Sequence, residues 1–153
     1  VPAVVVDRQD RVPVPTRRLA RAAERALAAL GRPGADVEVV VVGDAEIRRL
    51  NAAWRGVRRV TDVLALPLEL APGSGGLVGQ VVVSADTAVR QARAVGVPTA
   101  LELDLLVTHG VLHLVGWDDR DPVEARLMHE RARDVLQARG RRVPARLFTG
   151  LLS

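Results

Sequence analysis

His109 and His113 stand four residues apart in the segment His109-Gly110-Val111-Leu112-His113-Leu114-Val115-Gly116-Trp117-Asp118-Asp119. On a helix, residues four apart lie one above the other on one face, so both imidazoles can reach a single metal ion. Gly116 would end such a helix in a conformation that other residues resist, and the chain would turn back. Asp119, three residues past that glycine, can then close a third ligand direction. Three protein ligands and one open position describe a catalytic metal site, not a structural one. The open position takes water, whose pKa the metal lowers. The competing reading is two histidines on a surface helix followed by loop aspartates.

The position after the first histidine is Gly110, where HExxH peptidases carry their glutamate base. Water activation would then fall to the metal, a nearby carboxylate or the substrate's own phosphate. His129, on the next helix, has no ligand at useful spacing and reads as a surface or core histidine.

A second segment carries Trp54, Arg55, Arg58 and Arg59 around a short loop. Arginine forks in such a loop can hold phosphate by paired hydrogen bonds. Trp54 is expected to fill the core, the alternative being a ring that stacks on a base. Thr61 and Asp62 read as a turn and cap before a strand.

Apolar periodicity supplies the elements that must position these groups. Residues 3–6 read as a short buried strand, and 16–30 as a helix with Thr16 as N-cap. Residues 37–42 form a core strand, and Asp44 caps a short helix to about Trp54. Val63 to Leu66 is a strand closed by Pro67, and the APGSGG run (71–76) is a turn. Val78 to Ser84 is a strand and Ala85 to Val95 a helix. Thr99 and Glu102 have capping-box spacing at the start of the histidine helix, with Gly116 as its C-cap. That helix carries Leu101, Leu105, His109, Leu112 and His113 on one side. Asp121 and Pro122 open a last helix, which runs to about Ala138 and stops at Gly140. The expectation is an α+β fold: a small mixed sheet of about four strands packed with about five helices. Residues 1–140 would form one domain, and 141–153 a tail that is partly disordered.

The chain has 153 residues, enough for one core, and 48% of them are apolar. There is no cysteine, which excludes disulfides and thiolate metal sites. All 22 basic residues are arginine, and the net charge is +4. A genome-wide compositional bias accounts for that total, so only the clustering of arginines carries a functional argument. No run reaches the roughly 18 apolar residues of a membrane span. The first residues lack the basic start and cleavage site of a signal peptide. The expected compartment is the cytoplasm.

Taken together, these segments resemble the YbeY rRNA maturation family. That family carries HGxLHLxG, an aromatic residue and then Asp-His, which HGVLHLVGWD (109–118) matches throughout. Its LNxxYR and PTDVLSFP motifs are similar to LNAAWR (50–55) and TDVLALP (61–67), and its LGDIVIS strand to VGQVVVS (78–84). Glu102, Glu124 and Met128 also fit. The likeness runs from about Val37 to Ala138.

The resemblance implies a metal-dependent endoribonuclease specific for single-stranded RNA, chiefly rRNA, acting in 16S rRNA maturation and ribosome quality control. It implies a zinc-type ion on a zincin-like helix, with the ribosome or a ribosomal protein as partner. It also implies that Arg55 faces the metal and contacts the RNA backbone. Arg58 and Arg59 would extend the backbone track. The family's third ligand is histidine, and Asp119 stands in its place. A carboxylate should leave bound water less acidic and favour harder ions, so manganese or magnesium are alternatives to zinc. Ala65 for serine and Gln80 for aspartate each remove a polar group expected to support the site. Val60 and Leu66 also depart from the family pattern. Two rival readings remain: a non-catalytic rRNA-associated factor with a degraded site, and a metallopeptidase, which Gly110 disfavours.

Overall fold

The computed structural model describes residues 3–68 and 78–151. The APGSGG segment lies outside the described residues. Four strands, β1 (Ala3–Asp7), β2 (Asp36–Val42), β3 (Val63–Pro67) and β4 (Val78–Ser84), form one sheet in the order β1-β2-β4-β3. β1, β2 and β4 run parallel, while β3 is an antiparallel edge with Leu64 opposite Val82. Five helices accompany the sheet: α1 (Thr16–Ala29), α2 (Asp44–Arg55), α3 (Ala85–Val95), α4 (Thr99–Leu114) and α5 (Pro122–Gln137). The fold is therefore α+β with a mixed sheet.

Side chains alternate across a strand, and the valine-rich strands divide accordingly. Val37, Val39, Val41, Val81 and Val83 face the main core with Leu19 and Leu27 of α1 and Leu103, Leu106 and Val107 of α4. Val40, Val42 and Val82 face the opposite side with Ile47 of α2 and Leu64. One face of β1 is open to solvent, and Val6 on that face is 37% exposed. Val4 is 57% exposed, which corrects the expectation of a fully buried strand.

α4 is buried nearly all round, because the sheet covers one side and α5 the other. Leu105 and Leu112 pack with Met128, Ala132 and Leu136 of α5. Its apolar residues therefore do not form the one-sided stripe expected of them. At Gly110 α4 lies close against the sheet: a Cβ there would lie 2.4 Å from Val81 Cγ1 and 3.1 Å from Val63 Cγ2. The segment after α5, read as a loose tail, holds a short 3-10 turn, Ala145–Gly150. Leu147 and Phe148 in that turn are buried against Leu105 and Met128.

The caps divide between those the spacing identified and those it did not. Asp121 caps α5 by accepting from the Val123 and Glu124 backbone N–H groups, with Pro122 at the first position. Thr16 and Thr99 are themselves the first residues of their helices, after Pro15 and Pro98, and neither helix has a side-chain cap. Asp44 lies inside the first turn of α2 behind Gly43, and its carboxylate serves α3 instead. Glu102 does not close a capping box but is buried, only 1% exposed. Gly116, with φ 103°, follows Val115 as the residue that reverses the chain after α4.

Candidate metal centre

His109 is fully buried on α4, and His113 lies one turn further on, where the helix reaches solvent. Their rings meet edge to face with centroids 4.6 Å apart, and their Nε2 atoms are 3.0 Å apart. The reversal at Gly116 is held by Trp117 N–H donating to Leu112 O at 3.0 Å and Gly116 N–H to His113 O at 3.1 Å. It brings the Trp117 carbonyl to 3.1 Å from His113 Nδ1. A carbonyl only accepts, so His113 carries its proton on Nδ1 and leaves the Nε2 lone pair free. Asp118 steadies the loop by accepting from Asp119 N–H and pairing with Arg120. Asp119 Oδ2 then stands 3.7 Å from both Nε2 atoms.

These three donors fit one ion. Tetrahedral ligands at about 2.0–2.1 Å from a metal lie about 3.3–3.4 Å from one another. The separations of 3.0, 3.7 and 3.7 Å bracket that value. His109, His113 and Asp119 can thus hold a metal ion, and their ligand atoms all lie within 4.8 Å of one another. The protonation states agree. Burial, and then the neighbouring His109, lower the His113 pKa and favour the neutral imidazole. The His109 ring facing it lowers Asp119, which favours the carboxylate. His109 Nδ1 is buried without a hydrogen-bond partner, so packing and the contacts of Nε2 orient that ring.

The centre opens into a cavity of about 780 Å³, lined among others by Arg55, Leu64, Ala65, His113, Asp119 and His129. Arg55 arrives from the C-terminus of α2, where Gly56 turns the chain with φ 68°. Asn51 Nδ2 donates to Arg59 O at 3.0 Å and folds the arginine loop back beside α2. Arg58 and Arg59 are exposed and do not line the cavity. Trp54 is 61% exposed, which overturns its expected place in the core. It ends on the solvent side because α2 turns only Ile47 and Asn51 fully inward.

Comparison with known proteins gives these residues a context. The model of the family described as "Endoribonuclease YbeY" matches residues 4–140. The chain belongs to the YbeY family. A relative named Endoribonuclease YbeY from an Anaeromyxobacter species is 47% identical over 124 residues, covering 81% of this chain and 65% of the relative. One of the same name from Geobacter sulfurreducens is 37% identical over 136 residues, covering 86% and 91%. The solution structure of a Thermotoga maritima protein is similar, with a TM-score of 0.58 at 25% identity, covering 88% of this chain and 87% of that one. The chain thus spans a little under two thirds of the Anaeromyxobacter relative and nearly all of the Geobacter one.

Two departures from the YbeY pattern fall differently in space. Ala65 lines the cavity and gives that part of its wall no hydroxyl. Gln80 instead donates from Nε2 to Glu38 Oε1 at 2.8 Å and is not among the residues lining the cavity. His129 was missed from the linear sequence. It lines the cavity, half-buried, with its ring centroid 6.2 Å from that of His109. No spacing rule reaches it, because α5 meets α4 only through tertiary packing. No single helix among the described residues is long and apolar enough to cross a membrane.

Proposed function

We propose that this chain is a metal-dependent endoribonuclease that cleaves single-stranded RNA in rRNA maturation and ribosome quality control. The observation that carries the reading is the His109, His113 and Asp119 donor set opening into a cavity that Arg55 also lines. Family membership directs it toward RNA. The described residues up to 140, with the 3-10 turn that packs on them, supply the three donors and Arg55.

His109, His113 and Asp119 would hold one ion, which supplies Lewis acidity toward a phosphate oxygen and an activated water. Arg55 presents a planar fork of N–H donors that suits a phosphate and the charge it gathers during hydrolysis. Arg58 and Arg59 follow the strand beyond the cavity, and exposed Trp54 offers a face for base stacking. Zinc is the first expectation for the ion. Asp119 makes manganese or magnesium workable, because a carboxylate suits harder cations than an imidazole does. The compartment is the cytoplasm, and the partner is the ribosome or one of its proteins.

A peptidase reading finds no base where HExxH peptidases carry theirs. The position after His109 lies against Val81 and has no room for a glutamate side chain. The deciding experiment is cleavage of a single-stranded RNA by protein reconstituted with zinc or with manganese, beside His113→Ala prepared identically. Cleavage that needs both metal and His113 is the expected result. Metal-loaded protein that binds RNA without cutting it would leave a non-catalytic rRNA-binding factor.

A further inference from the structure

All three histidines of the chain lie in one chain of ring contacts. His109 meets His113 at 4.6 Å and His129 at 6.2 Å between centroids. His129 comes from α5, not from the α4 reversal that builds the metal centre. Its ring is flanked on a second side by Phe148, at 6.1 Å, and Arg133 lies over that phenyl ring at 5.1 Å. Phe148 is 7% exposed, so the support is part of the core.

His129 stands outside the group of ligand atoms that can share one ion. It nevertheless lines the same cavity as Arg55, His113 and Asp119. Among the described residues its ring nitrogens have no hydrogen-bond partner. An imidazole seated between His109 and Phe148, beside the candidate metal centre but outside its donor group, turns toward the cavity and can offer a ring N–H to what the cavity takes in.

We propose that His129 is a substrate-contacting residue that donates a hydrogen bond to the phosphodiester seated in this cavity. The inference rests on the RNA reading of the site and adds a contact from a different helix. A phosphodiester has two non-bridging oxygens, so it can engage the metal centre, the Arg55 fork and one imidazole N–H together. The α5 ring would orient the phosphate and not the ion.

The test uses the full chain loaded with zinc, and a fully 2′-O-methylated single-stranded oligoribonucleotide as the binding probe. Anisotropy gives its affinity, and elemental analysis gives the metal content. His129→Ala should keep its ion and weaken oligonucleotide binding about 5-fold, the worth of one ordinary hydrogen bond. His129→Gln, whose amide also donates, should recover part of that loss. Unchanged affinity with the metal retained would overturn the proposal. Loss of metal would make His129 a ligand, and loss of cooperative melting in both variants would make it a packing residue. Arg55→Ala, measured in parallel, separates the two levels. If it weakens binding and His129→Ala does not, only this inference fails. If neither variant weakens binding, the RNA reading fails as well.

Discussion

Two polar clusters lie at different places in this molecule, and they are built in opposite ways. Near the starts of α2 and α3, Asp44 accepts from Ser84 Oγ, Thr87 Oγ1 and Arg90, each at 2.7 Å. Asp86 accepts from the Asp44 backbone N–H at 2.9 Å, and Ser84 Oγ also caps α3 through Thr87 N–H. Burial works to raise the Asp44 pKa, but Arg90, Ser84 and Thr87 together hold it below the usual carboxylate value. The two hydroxyls and the Arg90 guanidinium there all meet acceptors within the chain. At the α4 reversal, two Nε2 atoms and a carboxylate oxygen converge on one point, more ligand atoms than the three groups can satisfy among themselves with neutral imidazoles. A closed network ties secondary structure together, while convergent lone pairs describe a place for a cation.

The largest effect that would break this contrast is on metal binding. Asp119→Ala should lower zinc affinity by more than the 10–100-fold that loss of an outer partner costs. Asp44→Ala should leave it unchanged. Equal metal content in both variants, by elemental analysis, would erase the distinction between the clusters.

Gly110→Ala tests the packing that places His109. Its new Cβ would sit 2.4 Å from Val81 Cγ1, so α4 or the sheet must move. Overpacking of this kind costs about 1–3 kcal/mol. Denaturant unfolding should show the loss, and Val81→Ala in the same chain should restore much of it. A Gly110→Ala protein as stable as the parent would mean that the helix approaches the sheet less closely.

Asp44→Ala should cost about 2 kcal/mol, because it strips a charged acceptor from two hydroxyls and a guanidinium. Urea titration measures it. A loss below a few tenths of that would show the network to be ornamental to stability.

Glu102 sharpens the comparison through pH. It lies two turns before His109, is 1% exposed, and neither carboxyl oxygen has a hydrogen-bond partner. Burial, with the Asp62 charge adding to it, pushes its pKa up from 4.5 to about 7. The folded state prefers the protonated form. Its contribution to stability is therefore complete below about pH 4.5 and lost as pH rises through about 7. The difference reaches on the order of 3 kcal/mol. Glu102→Gln should flatten the melting temperature between those pH values and raise it at pH 8. Parallel curves for the two proteins would remove Glu102 as the cause.

How much was legible can be judged from particular residues. The valine strands and the alanine-rich α1 declared themselves because burial demands a period, and the period is written in consecutive residues. Asp121 with Pro122 was readable as a cap for the same reason: the group it satisfies lies two or three residues away. Thr99 and Glu102 had capping-box spacing too, but burial of Glu102 in the core overrode it. Trp54 looked like core by its type. It faces solvent because the inner side of α2 is already filled by Ile47.

The sequence by itself determined the candidate metal-binding group, since a helix turn and one left-handed glycine suffice to bring His109, His113 and Asp119 together. That geometry is local, and its rules need no knowledge of the rest of the chain. Only the tertiary structure decided what faces the triad. Arg55 reaches the cavity through the end of α2, and His129 through the packing of α5 on α4. It also gave Gly110 its reason, the contact with Val81. Such approaches depend on how separate elements share one core, and no spacing along the chain encodes that sum of packing contacts.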